Sequence, residues 1–297
     1  MKKKYLWRMV CAGILLFTGC SVNQKKEIQD DRLSVYASFY PMADFAEKIG
    51  GDHVKVVNMT PAGVEPHDYE PSMEDVKGLS KADVFIYNGD DMEHWANRVL
   101  HGIDNPNLKV VKASEALSLK EENRNTDPHT WLSIRNAIQE MATIKEAFST
   151  ADPDHKKDYE ANYNQYKELL VKLDKKYRDE LAPYKGKSVV VAHQAFGYLF
   201  DDYGLKQLPI DGLTPDSEPT AAKVKQIMEE VKKNNVRVIY YEELVDPKVA
   251  SMIAQETGAK TAVLNTLEGL SNEDLKNGRD YLSVMEDNLT ALLSAWR

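Results

Sequence analysis

Residues 153 to about 181 are charged and almost free of glycine and proline, and they read as one long helix. Asp152-Pro153 supplies a capping residue followed by proline at the first helical position. Pro183 and Gly186 close the segment. At 1.5 Å per residue such a helix is roughly 40 Å long, enough to cross a whole domain. A single helix of that length joining two lobes limits how far they can open. Its apolar positions, Leu169, Leu170, Val171, Leu173 and Tyr177, form too short a stripe for the sustained heptads of a coiled-coil arm.

Either side of it the pattern alternates. Residues 33–39, 54–59, 82–87 and 108–111 are short runs rich in β-branched and aromatic side chains. Between them, 42–49 and 73–79 have helical spacing, and Ile134, Ala137, Ile138, Met141, Ile144 and Phe148 mark one face of a further helix. After the long helix, 188–192, 236–241 and 260–264 read as strands, with helices at 223–232, 247–256 and 281–295. Buried strands alternating with helices imply parallel, helix-covered sheets. The expected fold is α/β: two lobes with mainly parallel sheets, 33–151 and 185–297, joined by the linking helix at 152–184. No sequence repeat relates the lobes.

The ends and the composition bound the location. Lys2, Lys3, Lys4 and Arg8 precede an apolar run, 9–17, that is too short to span a bilayer. It stops at Thr18-Gly19-Cys20, which resembles the lipobox of bacterial lipoproteins, although Phe17 stands where leucine is usual. Residues 1–19 then read as a leader, Cys20 as the lipidated residue, and the polar stretch 20–32 as a tether; an uncleaved anchor helix is the alternative. The only cysteines are Cys11 and Cys20. The mature chain would have no disulfide and no thiolate, so any metal must be bound by nitrogen and oxygen. The net charge is −9, and loss of residues 1–19 removes four more positive charges and no negative ones. An acidic surface argues against nucleic acid as a partner. No stretch beyond residue 20 is apolar enough to cross a membrane.

Three of the seven histidines have distinctive settings: His67 in Pro-His-Asp-Tyr-Glu-Pro, His129 in Asp-Pro-His-Thr-Trp-Leu, and His193 in Ala-His-Gln-Ala-Phe-Gly-Tyr. Ligands of open parallel sheets bind beyond the carboxyl ends of the strands. His67 follows the 54–59 strand through a loop of turn formers, His193 ends the 188–192 strand, and His129 precedes a helix. A site joining them would lie in the cleft between lobes. Imidazole is the commonest metal ligand, and three of them with one further donor suit a tetrahedral ion. Glu268, beyond the 260–264 strand, is the best-placed fourth donor. Asp280, Asp216, Glu242, Glu243 and water stay open as alternatives. His53, His101 and His155 read as surface or structural residues, and His94, near Asp90, Asp91 and Glu93, as a solvated edge or an accessory cation site.

The segments at 37–42, 65–71, 88–90, 127–132, 192–198 and 215–219, in this order, resemble the metal-binding receptors of bacterial ABC transporters for zinc and manganese. The resemblance runs from about Leu33 to the C-terminus. It implies two α/β lobes on a backbone helix with metal in the cleft, and it places His67, His129 and His193 at the first three ligand positions and Glu268 at the fourth. Manganese-type members carry a carboxylate at the third position, so His193 implies Zn²⁺, the borderline ion that favours nitrogen. The stretch 120–127 lacks the His-rich loop of many zinc receptors. The implied role is a lipid-anchored, monomeric, extracytoplasmic receptor delivering Zn²⁺ to a permease, with the transporter's ATPase reached indirectly. A manganese or iron receptor is the alternative. A zinc hydrolase would need an open water position, and neither a His-Glu-x-x-His helix nor a serine elbow is present. An adhesin would leave three strand-end histidines unexplained.

Overall fold

The computed structural model describes residues 30–122, 125–215 and 219–296. The leader, Cys20, most of the tether, Asp216 and the centre of the 215–219 segment lie outside the described residues.

In chain order the first lobe runs β1 (Leu33–Ala37), α1 (Tyr40–Gly50), β2 (Val54–Asn58), α2 (Met73–Leu79), β3 (Val84–Tyr87), α3 (Ala96–His101) and β4 (Lys109–Lys112). A hairpin, β5 (Glu121–Glu122) and β6 (Asn125–Thr126), leads to α4 (Ile134–Ala151) and the long α5 (Lys156–Leu181). The second lobe follows with β7 (Ser188–Val191), α6 (Gly197–Tyr203), β8 (Lys206–Pro209), α7 (Ala221–Lys233), β9 (Val238–Tyr241), α8 (Lys248–Thr257), β10 (Lys260–Val263), α9 (Asn272–Lys276) and α10 (Tyr281–Ser294).

Among the described residues the strands form two four-stranded sheets, β2-β1-β3-β4 and β10-β9-β7-β8, and the β5-β6 hairpin. Every pairing within the larger sheets is parallel, and the hairpin is antiparallel. Counted from its own first strand, each lobe has the order two-one-three-four. The order therefore reverses between β1 and β3 in one lobe and between β7 and β9 in the other, and those are the crevices where such sheets bind ligands. The central strand β3, Val84–Tyr87, is buried at every position because helices cover both faces of the sheet. Four of the expected strands ran one or two residues long at their carboxyl ends: Ser38, Met59, Ala192 and Leu264 have left the regular strand and begin the loops. β8 escaped prediction because Lys-Gln-Leu-Pro has no β-branched residue, and its proline is tolerated at a sheet edge.

The long helix corrects two expectations. Pro153–His155 is a 3-10 turn, and regular α-helix begins only at Lys156. Asp152 spends its carboxylate on the Tyr159 hydroxyl and the His155 ring, each at 2.6 Å. The buried stripe is Tyr159, Tyr163, Tyr166, Leu170, Leu173, Tyr177 and Leu181, spaced by three or four along the whole helix. Leu169 and Val171 are instead 38% and 50% exposed. Tyrosine buries an apolar ring behind a polar tip, so a stripe that passes over Tyr159, Tyr163 and Tyr166 is only a fragment of this face. The stripe packs on α1, α4 and α10, which leaves none of it for a coiled-coil partner.

One hydrophobic core runs through both sheets and these helices. Tyr281, at the start of α10, meets Phe45 of α1 edge-on at 5.0 Å, and Lys48 of α1 pairs with Asp280 at 2.7 Å. The Tyr177 hydroxyl donates to the Met285 carbonyl. Arg32–Arg297 thus forms one contact unit.

Candidate metal centre

Each of the three histidines is fixed by its own local device. After β2, the loop 60–65 ends in a 3-10 turn, Pro66–Asp68, where proline presets the backbone and the Glu65 carboxylate accepts from the His67 amide at 3.2 Å. His129 sits just before another 3-10 turn, Thr130–Leu132. Its backbone N–H and ring Nδ1 both lie against Asp127 Oδ1, at 3.0 and 2.8 Å. Asn88, beyond β3, donates to the Pro128 carbonyl and accepts from the Thr130 hydroxyl, which holds this loop from below. Two residues past β7, the His193 amide donates to Glu242 Oε1, and its Nδ1 lies 2.8 Å from Glu242 Oε2. A carboxylate beside Nδ1 favours the proton on that nitrogen, so that Nε2 becomes the lone-pair donor once a metal displaces its own proton.

All of these side chains are buried, and they converge. His129 Nε2 lies 3.2 Å from both His67 Nε2 and His193 Nε2. Glu268 Oε1 lies 3.4, 3.2 and 3.5 Å from the Nε2 atoms of His67, His129 and His193. Its other oxygen accepts from the Thr266 hydroxyl at 2.9 Å. The edge of a tetrahedron is about 1.63 times its centre-to-corner distance, so zinc bonds of about 2.0–2.1 Å require donor atoms about 3.3–3.4 Å apart. Five of the six edges here are 3.2–3.5 Å, and all four donor atoms lie within 4.8 Å of one another. Among the described residues, this is the group of histidine and acidic side chains that could hold a metal ion.

The electrostatics match a site built for a cation. Burial pulls the His193 ring down, but Glu242 and Glu268 outweigh it and raise its pKa well above the usual imidazole value. His129 is likewise raised, Asp127 and Glu268 prevailing over burial. His67 is lowered, mainly by burial. Glu268 is held well below the carboxylate range: burial opposes ionisation, and the three imidazoles overcome it. Glu65 is pushed up to about 8 by burial and by Glu268, so it stays largely neutral at pH 7.

The other sequence candidates have different duties. Glu242 backs His193 rather than joining the four donors. Glu243 accepts from the Asn265 amide, and Asp280 caps α10 while pairing with Lys48. His94 is exposed; its neighbour Glu93 points inward to Ser38 and the backbone, and Asp90 pairs with Lys112. His53 and His155 stack at 3.9 Å between ring centres, and His101 bonds the Asn97 carbonyl. Asp127 was not singled out as a supporting residue, although it stands two residues before His129 in the quoted motif. Gly197 belongs with it: a Cβ there would sit 2.9 Å from Asp127 Oδ2 and would have to push that carboxylate aside.

The zinc-binding lipoprotein AdcA of Streptococcus pneumoniae is 41% identical over 308 residues, covering 98% of the chain; the chain spans 60% of that relative's length. The high-affinity zinc uptake system protein ZnuA of Bacillus subtilis is 39% identical over 302 residues, covering 96% of the chain and 95% of the relative. The Zn(II)-bound ZnuA-like domain of S. pneumoniae AdcA superposes with a TM-score of 0.80 at 42% identity, covering 89% of this chain and 98% of that one. The family described as ZnuA, zinc-uptake complex component A, periplasmic, matches residues 35–295, and the chain belongs to it.

Proposed function

We propose that the chain is an extracytoplasmic Zn²⁺ receptor that holds its ion between His67, His129, His193 and Glu268 and hands it to the membrane permease of an ABC importer. The transporter's ATPase is engaged only through that permease. Cys20 carries the lipid that anchors the receptor to the membrane surface, with 20–32 as its tether, and the receptor works as a monomer. Among the described residues no helix is long and apolar enough to cross a membrane, which is consistent with an anchored receptor.

The observation that carries the reading is metric: five of the six donor-to-donor edges are 3.2–3.5 Å, matching those of a zinc tetrahedron. Three nitrogens and one oxygen favour zinc over manganese, which prefers oxygen-rich, six-coordinate surroundings. Four protein donors complete the shell, leaving no position for the activated water of a hydrolase, so the chain binds and releases rather than catalyses.

The test is metal analysis of the soluble mature chain after competition between zinc and manganese, repeated with His193→Ala. About 10–16 kcal/mol of apparent binding energy shared over four ligands gives about 3 kcal/mol each, so His193→Ala is expected to weaken zinc by about 100-fold or more. Manganese retained in preference to zinc would overturn the specificity, and an unchanged affinity in His193→Ala would overturn the site.

A further inference from the structure

Glu268 is presented by a backbone that is not relaxed. Leu267, immediately before it, has φ of +57°, in the left-handed region that bulky side chains rarely adopt. Leu267 is also fully buried, so the conformation persists only because its surroundings impose it. Those surroundings are specific. The Leu267 amide donates to the Asn265 side chain at 2.6 Å. The Asn265 backbone is clasped by Asn288 of α10, which accepts from its N–H at 2.9 Å and donates to its carbonyl at 2.8 Å. Between them the Thr266 carbonyl accepts the indole N–H of Trp131 at 2.8 Å.

Trp131 belongs to the other lobe. It stands two residues after His129, fully buried, with its ring 5.4 Å from the imidazole and 4.9 Å from Phe39. Its own carbonyl accepts from the Tyr281 hydroxyl at 2.7 Å. The loop that carries Glu268 follows the last strand of lobe two, yet it is fastened to the His129 segment of lobe one. His193, in contrast, is secured within lobe two by Glu242.

We infer that Trp131 is a positioning residue: its indole N–H, closing on the Thr266 carbonyl, locks the left-handed turn at Leu267 and sets Glu268 at a fixed distance from His129. The inference rests on reading His129 and Glu268 as zinc ligands. On this view the two form one preset pair, built before the ion arrives, while His193 approaches from a separately anchored strand end.

Four forms of the chain test it: wild type, Trp131→Phe, Glu268→Gln and the double variant, each titrated with Zn²⁺ against a competing chelator and with Co²⁺ as a spectroscopic probe. Phenylalanine keeps most of the buried ring and removes the N–H. Trp131→Phe is expected to weaken zinc about 10- to 100-fold, the usual effect of losing a group that orients a ligand. It should also weaken the visible Co²⁺ bands, as the loosened carboxylate admits water and the coordination number rises above four. The double variant should bind within about threefold of Glu268→Gln alone, because Trp131 acts only through Glu268. Additive losses, or wild-type affinity and spectrum in Trp131→Phe, overturn the proposal. Wild-type affinity in Glu268→Gln sinks the ligand reading itself, and the proposal with it. If Trp131→Phe does not fold, Tyr281→Phe, which frees the Trp131 carbonyl, takes its place: a smaller loss that vanishes in the Glu268→Gln background supports the proposal, and an additive one overturns it.

Discussion

At the crevice of lobe two, His193 stands just past the first strand and is faced by Glu242, which directly follows the third. At the crevice of lobe one, Ser38 directly follows the first strand and is faced by Glu93, from the loop after the third. The strand order is the same, and in both a buried carboxylate closes the crevice. What differs is its partner. Glu93 accepts from the Ser38 hydroxyl and from the Asn88 and Gly89 amides, which ties the crevice shut as a structural knot. Glu242 instead grips one nitrogen of an imidazole whose other nitrogen faces the metal centre. Lobe one must then supply its donors from loops farther on, at His67 and His129. One scaffold serves twice, and a hydroxyl or an imidazole beside the carboxylate decides whether the crevice stores stability or presents a ligand.

Protons separate the two uses most strongly. His129 and His193 are raised, so the metal-free chain holds protons there that zinc must displace. Zinc affinity should fall on acidification by up to about tenfold per pH unit for each proton displaced. The climb should continue above the ordinary imidazole value of about 6.5 instead of flattening there. Stability of the metal-free chain runs the other way. A raised histidine stabilises fully below its unfolded value, and that contribution is lost as pH rises through the folded value. Glu65, Glu93 and Glu140, pushed by burial up to about 8, 7 and 7, add to the decline, because folding makes them hold protons that the unfolded chain has released. His67, lowered, opposes this alone among the three imidazoles. Between about pH 5.5 and about pH 8, the metal-free Tm is expected to fall while the rise on adding zinc grows. Scanning calorimetry at constant ionic strength checks both slopes, and a metal-free Tm that climbs would break the assignment.

Glu242→Gln sharpens the comparison from the side of lobe two. The amide is nearly isosteric but neutral, and it no longer fixes the His193 tautomer. Zinc affinity should drop about 10- to 100-fold. Competition titration reads this directly, and wild-type affinity would show that His193 needs no carboxylate behind it.

Much of this was legible in the residues, for identifiable reasons. Strands such as Val84–Tyr87 declare themselves because burial on both faces demands continuous β-branched and aromatic side chains. The histidines were legible only as a set. Each alone reads as a surface or structural residue, and it is their shared position beyond strands or before a helix, together with the family resemblance, that gathers them at one cleft. Glu268 could be named only as the best of several carboxylates, since an acid beyond a strand looks the same whether it binds metal, as Glu268 is placed to do, or steadies a ligand, as Glu242 does. Most of the tyrosine face of α5 was hidden because Tyr159, Tyr163 and Tyr166 carry polar tips among charged neighbours. The common strand order of the lobes was hidden altogether, because topology is set by which strands pair, and two sheets can share it with no residue in common. Trp131 stood in a quoted motif without a role, for its partner, the Thr266 carbonyl, is a backbone atom that sequence cannot mark.

The smallest effect on zinc is expected from Ser38→Ala, and it probes lobe one's knot most cleanly. The substitution deletes one donor to the buried Glu93 carboxylate and changes no atom of the metal centre. Burial pushes Glu93 up to about 7. Above that pH, where it is charged, the lost bond is worth about 1.5–3 kcal/mol, and the metal-free chain should unfold at a measurably lower temperature. The Asn88 side chain keeps its bonds to Pro128 and Thr130, so the loop carrying His129 stays supported. Zinc affinity should therefore remain within about threefold of wild type, well short of the loss from Glu242→Gln. The pair of variants thus sorts the crevices by function, one changing stability and the other affinity. Should Ser38→Ala weaken zinc as much as Glu242→Gln does, the knot in lobe one would have to be transmitting its state to His129 through Asn88, and the two crevices would be coupled parts of one site.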